Sequence, residues 1–126
     1  MANELILIVE DNDKNRKLVR DVLHFKGYRL AEAETGEEGV RLARELHPDL
    51  ILMDIQLPGM DGLQATTILK ANAATRHIPV IALTALAMKG DEERIRAAGC
   101  DGYVAKPIDY KDFLAVVKAS LPKVLA

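Results

Sequence analysis

The sequence predicts an α/β domain in which five parallel strands carry five helices on both faces. Three observations lead there. Short apolar runs rich in branched side chains alternate five times with longer segments of helical period, the pattern of repeated βαβ units. The runs Leu5-Ile6-Leu7-Ile8-Val9 and Leu50-Ile51-Leu52-Met53 are apolar without alternation, as strands buried on both faces of a parallel sheet must be. A length of 126 residues with 49% hydrophobic content suits one core, so residues 1–126 are expected to form one domain with its core over about 4–121.

The predicted strands are Leu5 to Val9, Arg29 to Ala33, Leu50 to Met53, Val80 to Leu83 and Gly102 to Ala105. The second is polar and belongs near an edge. The first helix runs from about Lys14 to Lys26, with Leu18, Val19, Val22 and Leu23 at helical spacing, Asn12 or Asp13 as its cap and Gly27 at its left-handed end. The second starts near Thr35, with Glu38 completing a capping-box pattern, and stops before Pro48; Val40, Ala43 and Leu46 form its inner stripe. A third spans roughly Gly62 to Ala71 on Leu63, Ile68 and Leu69. The fourth, near Asp91 to Ala98, has only Ile95, Ala97 and Ala98 as an apolar side, which makes it a candidate for marginal packing and motion. Asp109 caps a fifth with Phe113, Leu114, Val117 and Leu121, and Pro122 closes it.

Composition excludes several functions. A formal charge of −2, from 17 basic and 19 acidic side chains, offers no field for nucleic acid or an anionic membrane. The single Cys100 cannot form an internal disulfide, no Cys/His cluster has zinc spacing, and the first apolar run is too short to span a bilayer. A cytoplasmic protein is expected. Cys100 reads as a small buried hydrophobe, and His24, His47 and His77, each in a polar helix or turn, as solvated side chains.

In an open parallel sheet the ligand site lies beyond the carboxyl ends of the strands. There the first strand delivers Glu10-Asp11, the third Asp54, the fourth Thr84 and the fifth Lys106-Pro107. In the flavodoxin-like order 2-1-3-4-5 the first and third strands are neighbours, which gathers Glu10, Asp11 and Asp54. Each carboxylate pair at about 4 Å would repel by on the order of 4 kcal/mol at an effective dielectric of 20, so the cluster needs a cation or must take up protons. Lys106 alone cannot neutralise it. An all-oxygen site with few protein ligands favours Mg²⁺, with Mn²⁺ as a possible substitute. Metal and Lys106 together would keep Asp54 ionised as a nucleophile and phosphoryl acceptor, and the Thr84 hydroxyl could donate to a transferred oxygen. Taken singly, each residue is ordinary: an acidic pair caps a helix, an Asp before Pro58-Gly59 forms a turn, a Thr ends a strand, a Lys lies on a surface. Four strands delivering complementary groups to one sheet edge is not.

These residues resemble the receiver domains of two-component signalling, the CheY-like family, over essentially the whole chain. The stretches LILIVEDND, DLILMDIQLPGMDG, IPVIALTA and GYVAKPI carry the resemblance, and AMKGDEERIRAAGCDGYVAKPI with MDIQLP is most similar to stand-alone, single-domain receivers of the DivK type. The resemblance implies Asp54 as phosphoacceptor and metal binding by Asp11, Asp54 and the backbone carbonyl of Gln56, with Glu10 acting through water. It implies that Thr84 and Lys106 hold the phosphoryl group, that Tyr103 is the switch aromatic, that the bond to Pro107 is cis, and that Gln56 and Leu86 tune the lifetime of the phosphate. The implied phosphodonor is a phosphohistidine on a sensor kinase or histidine phosphotransfer protein. The resemblance implies output by protein docking on the face of helix four, strand five and helix five, by a monomer, with cell-cycle or cell-division control as its setting.

Three other readings compete. A metal-dependent phosphohydrolase would share the nucleophile, but the next acidic residue after Asp54 is Asp61, and no long cap segment is present. A flavodoxin-like cofactor binder would need phosphate donors where this chain has Glu10-Asp11-Asn12-Asp13. A phosphate sink or phosphorelay shuttle would keep the chemistry and lack an effector.

Overall fold

Alternate residues of each central strand enter opposite cores, and that division builds the molecule. The computed structural model describes residues 4–85, 89–106 and 108–121. Within them, β1 (Leu5–Val9), β2 (Arg29–Ala33), β3 (Leu50–Asp54), β4 (Val80–Thr84) and β5 (Gly102–Ala105) form one sheet in the order β2-β1-β3-β4-β5. Every pairing is parallel. Leu7, Val9, Ile51, Met53, Val80 and Ala82 point into one core, while Ile6, Ile8, Leu50, Leu52, Ile81 and Leu83 point into the other. Burying each such side chain favours folding by about 1.5–3 kcal/mol.

Helices α2 (Gly36–Leu46), α3 (Gly62–Ala71) and α4 (Lys89–Ala97) cover the first core with Val40, Ala43, Ala65, Leu69 and Ile95. Helices α1 (Asp13–Phe25) and α5 (Tyr110–Ser120) cover the second with Val19, Leu23, Phe113 and Val117. The predicted order and both helical layers are therefore present. Cys100 lies in the first core, as expected of a small hydrophobe, and burial raises its thiol pKa.

Caps set where the helices begin, and so where the loops above the sheet run. Asn12 caps α1 by accepting from Asn15 N, and Asp109 caps α5 by accepting from Lys111 and Asp112 N. Thr35 accepts from Glu38 N, the backbone half of the predicted box; the reciprocal form is complete at α3, between Asp61 and Gln64. His47 ends α2 in the left-handed region at φ 47°, a conformation a following proline helps select by disfavouring a further helical residue.

Differences from the predicted boundaries are small and physical. β3 and β4 each run one residue further, because Asp54 pairs with Leu83 and Thr84 with Ala105, keeping both polar residues in the ladder. α4 begins at Lys89 rather than near Asp91. Its expected marginal packing rests on one anchor, Ile95, which is nevertheless fully inside the core at 2% exposure. β2 is an edge strand, as its polarity indicated. Pro122, Pro107 and Leu86 lie outside the described residues.

Candidate functional site

β1, β3 and β5 end side by side or one strand apart, so their last side chains meet above the sheet. Glu10 follows β1 and Asp54 ends β3, and both are almost fully buried, at 1% and 4% exposure. Asp11 is exposed beside them, and carboxylate oxygens of Glu10, Asp11 and Asp54 lie within 4.8 Å of one another. Lys106 reaches over from the end of β5, placing Nζ 3.0 Å from Glu10 Oε1 and 3.3 Å from Asp54 Oδ2. Gln56 turns its backbone N–H to Asp54 Oδ1 at 3.0 Å, while its side chain is exposed. Thr84 is buried at the end of β4, and its carbonyl accepts from Lys106 N at 2.7 Å. The structure thus brings together Glu10, Asp11, Asp54, Lys106 and the Gln56 backbone, with Thr84 one strand away from Asp54.

Tyr103 sits apart from this cluster. It pairs in register with Ala82 and is half-buried against the core under α2, α3 and α4. His24, His47 and His77 are all exposed. Asp61, the next acidic residue after Asp54, is committed to the α3 cap through Gln64, a poor position for acid/base work on a phosphoryl group.

Three carboxylates against one ammonium leave the pocket with excess negative charge. Burial pushes the Glu10 carboxyl above the usual carboxylate range, and the close Asp54 carboxylate pushes the same way against Lys106. For Lys106, burial alone would lower the pKa, but the hydrogen bond to Glu10 and the charge of Asp54 outweigh it, and the net shift is upward. Lys106 is therefore an ammonium throughout the neutral range, and any stability it contributes is lost only as pH rises through its raised value, above 10.5. Glu10 Oε2 is buried with no hydrogen-bond partner among the described residues. A buried orphan oxygen beside two further carboxylates fits a hard divalent cation and its bound waters.

The raised Glu10 pKa sets a pH dependence. The folded state holds this proton more tightly than the unfolded chain, so the associated stability is present below the ordinary carboxylate value and is lost as pH rises through the raised one. Relative to Glu10→Gln, metal-free wild type should lose thermal stability as pH rises from the acid carboxylate range toward neutrality. A divalent cation at about 100 times its Kd should restore about 2.7 kcal/mol at neutral pH. Thermal denaturation with and without chelator reads both effects, and a slope identical in Glu10→Gln would remove Glu10 as its source.

Two supporting residues carried no signal in the strand-end pattern. Arg16 in α1 donates from Nη1 to the carbonyl of Glu10 at 2.9 Å. Gly62, the first residue of α3, packs directly on the Asp54 carbonyl, so that a Cβ there would overlap that oxygen and come within 2.9 Å of Asp54 C and Ile55 Cα. Glycine at the first position of a helix, where it has no propensity advantage, is the one sequence hint that another backbone lies close.

Comparison with known proteins agrees with this geometry. The family described as response regulator receiver domain matches residues 6–118. The polar-differentiation response regulator DivK of Brucella ovis is 54% identical over 116 residues, covering 92% of this chain and 94% of its own. Among solved structures, a response regulator from Chloroflexus aurantiacus superposes with a TM-score of 0.92 at 29% identity, over 96% of this chain and 99% of its own. The receiver domain of the sensor histidine kinase PA1611 from Pseudomonas aeruginosa, solved with a magnesium ion coordinated in its active-site cleft, superposes at 0.87 with 38% identity, over 94% of this chain and 97% of its own.

Proposed function

The chain belongs to the response regulator receiver family, and from that premise we propose that it accepts a phosphoryl group on Asp54 from a phosphohistidine and signals by state-dependent protein contact. The observation that carries this reading is Asp54 itself, a buried carboxylate held at both oxygens, Oδ1 by Gln56 N–H and Oδ2 by Lys106 Nζ, beside two further carboxylates. Receiver membership and likeness to DivK support a two-component response regulator.

An Asp54 carboxylate oxygen attacks phosphorus as the bond between phosphorus and the donor imidazole nitrogen breaks; the electron pair of that bond leaves on the imidazole. Lys106 lies within reach of Asp54 and stabilises negative charge on the phosphoryl oxygens. Gln56 N–H at Oδ1 and Lys106 at Oδ2 fix the rotation of the carboxylate before the donor arrives. Asp11, Asp54 and the Gln56 carbonyl, with Glu10 through water, would hold Mg²⁺, which when bound would neutralise the charge shared between carboxylates and phosphoryl group. Once phosphate is in place the Thr84 hydroxyl donates to it, a contact available in one state only, and so biases the end of β4 and the docking of α4 that follows. Tyr103, at the half-buried edge of the same face, is the residue that reports this shift to an effector on α4, β5 and α5.

Beside Lys106, an apolar groove of about 190 Å³ lined by Asn15, Leu18, Ile108 and Tyr110 adjoins the site. It offers a resting place for the helix that carries the donor histidine, supporting a kinase or phosphotransfer partner.

The test is phosphorylation of purified protein by a small phosphodonor, followed by intact mass. One phosphate adduct that forms with Mg²⁺ and not with chelator is expected. Steady hydrolysis of phosphomonoesters instead would favour a phosphohydrolase, and absence of any adduct together with absence of binding to a beryllofluoride mimic would sink the proposal.

A further inference from the structure

Arg16 is 13% exposed, and all three of its nitrogens are engaged. Nε donates to Glu32 Oε1 at 3.1 Å, Nη1 to the Glu10 carbonyl at 2.9 Å, and Nη2 lies against Asp13 and 3.3 Å from Glu34. The peptide on the other side of Glu10 is fixed as well, since Glu10 N donates to Ala33 O at 3.0 Å. Glu32 lies on β2, in register with Ile8 of β1, so the guanidinium ties α1 and the edge strand to the main chain where β1 ends. The peptide whose carbonyl it holds is the one joining Glu10 to Asp11, the two carboxylates that β1 delivers to the pocket.

We propose that Arg16 is a positioning residue for divalent-cation binding, which orients the Glu10-Asp11 peptide so that both carboxylates converge with Asp54. This rests on the receiver reading above. Its charge cannot be the reason for its place. A cation near a cation site weakens binding, and Arg16 stands among Asp13, Glu32 and Glu34, which offset its field locally. What it contributes is a planar fork with several donors in fixed directions, which a lysine lacks.

Position and charge therefore predict opposite signs. Mg²⁺ titrations followed by backbone amide shifts should be run on the wild type, Arg16→Lys and Arg16→Gln, with hydrogen exchange of the Glu10 and Asp11 amides in metal-free protein. Loss of such supporting hydrogen bonds typically weakens metal binding by about tenfold or more. Both variants are expected to raise the Mg²⁺ Kd by about tenfold and to speed exchange at Glu10 and Asp11. Glu32→Gln, which removes one anchor of Arg16, should act in the same direction with smaller amplitude and covers the case in which an Arg16 variant folds poorly. Tighter Mg²⁺ binding in Arg16→Gln, an unchanged Kd in Arg16→Lys, or unchanged exchange in both would overturn the proposal. A wild type that binds no Mg²⁺ would instead remove the receiver reading, while the exchange arm still decides whether Arg16 holds the peptide.

Discussion

Asp54→Asn should abolish the phosphate adduct and, in metal-free protein, raise stability by about 1–2 kcal/mol. The first effect follows from chemistry: an amide oxygen at the same place carries no formal charge and is a poor nucleophile for phosphorus, so no aspartyl phosphate forms. The second follows from electrostatics. Carboxylate oxygens of Glu10, Asp11 and Asp54 lie within 4.8 Å of one another, with Lys106 the cation paired to the carboxylates of Glu10 and Asp54. At an effective dielectric of 20, each such repulsion is worth about 3 kcal/mol before solvent and relaxation reduce it. Removing the Asp54 charge relieves two repulsions and loses one attraction to Lys106 at 3.3 Å, so the balance is a modest gain. That gain should vanish when Mg²⁺ is added, because the wild type then recovers more binding energy than the variant. Urea unfolding with and without Mg²⁺, beside intact mass after exposure to a small phosphodonor, reads all three outcomes. An adduct that persists in Asp54→Asn would move the acceptor elsewhere. A variant less stable than the wild type without metal would mean that the bonds to Lys106 and Gln56 outweigh the repulsion.

The strands were legible because they follow from period, and the pocket because the flavodoxin-like order expected of such a sheet sets the charged strand ends together. Uninterrupted apolar runs at β1, β3 and β4 require a sheet covered on both sides, and the groups that end β1, β3 and β5 then have one place to meet. Asp54 could be singled out because a carboxylate after such a run faces either water or a partner, and here Lys106 waits at the end of β5. The supports of the site were not legible in the same way. Arg16 reads on a helix as one more surface cation, and only the three-dimensional return of β2 beside α1 turns it toward Glu32 and the Glu10 carbonyl. The start of α4 at Lys89 was missed because its apolar side consists of little more than Ile95, too sparse for periodicity to mark an end. The left-handed His47 was hidden for a different reason: a positive φ at a residue other than glycine is selected by the chain around it, here the helix end and Pro48.

Gly62→Ala should destabilise the fold by about 2 kcal/mol or more and remove phosphorylation even in the molecules that remain folded. By helix propensity alone the change would be favourable by up to about 1 kcal/mol, and α3 is a regular helix at that point. Steric contact decides otherwise. The new Cβ would overlap the Asp54 carbonyl oxygen and lie 2.9 Å from Ile55 Cα, and both belong to main chain held in place. Gly62 N donates to Ile55 O at 3.0 Å and Ile55 N to Leu83 O at 3.1 Å, so α3 cannot retreat without breaking the loop that follows β3. Relieving such overpacking against backbone costs about 3 kcal/mol, which exceeds the propensity gain. The displacement needed would turn the Asp54 peptide, and with it the carboxylate that Gln56 N–H and Lys106 hold. Gly39→Ala supplies the contrast: its Cβ would meet Val9 Cγ2 at 2.8 Å, a side chain rather than the backbone of Asp54. Both variants should lose stability by urea unfolding, but at low temperature, where each is folded, only Gly62→Ala should fail to take up phosphate. Equal phosphorylation of the two would show that the Asp54 main chain yields without moving its carboxylate.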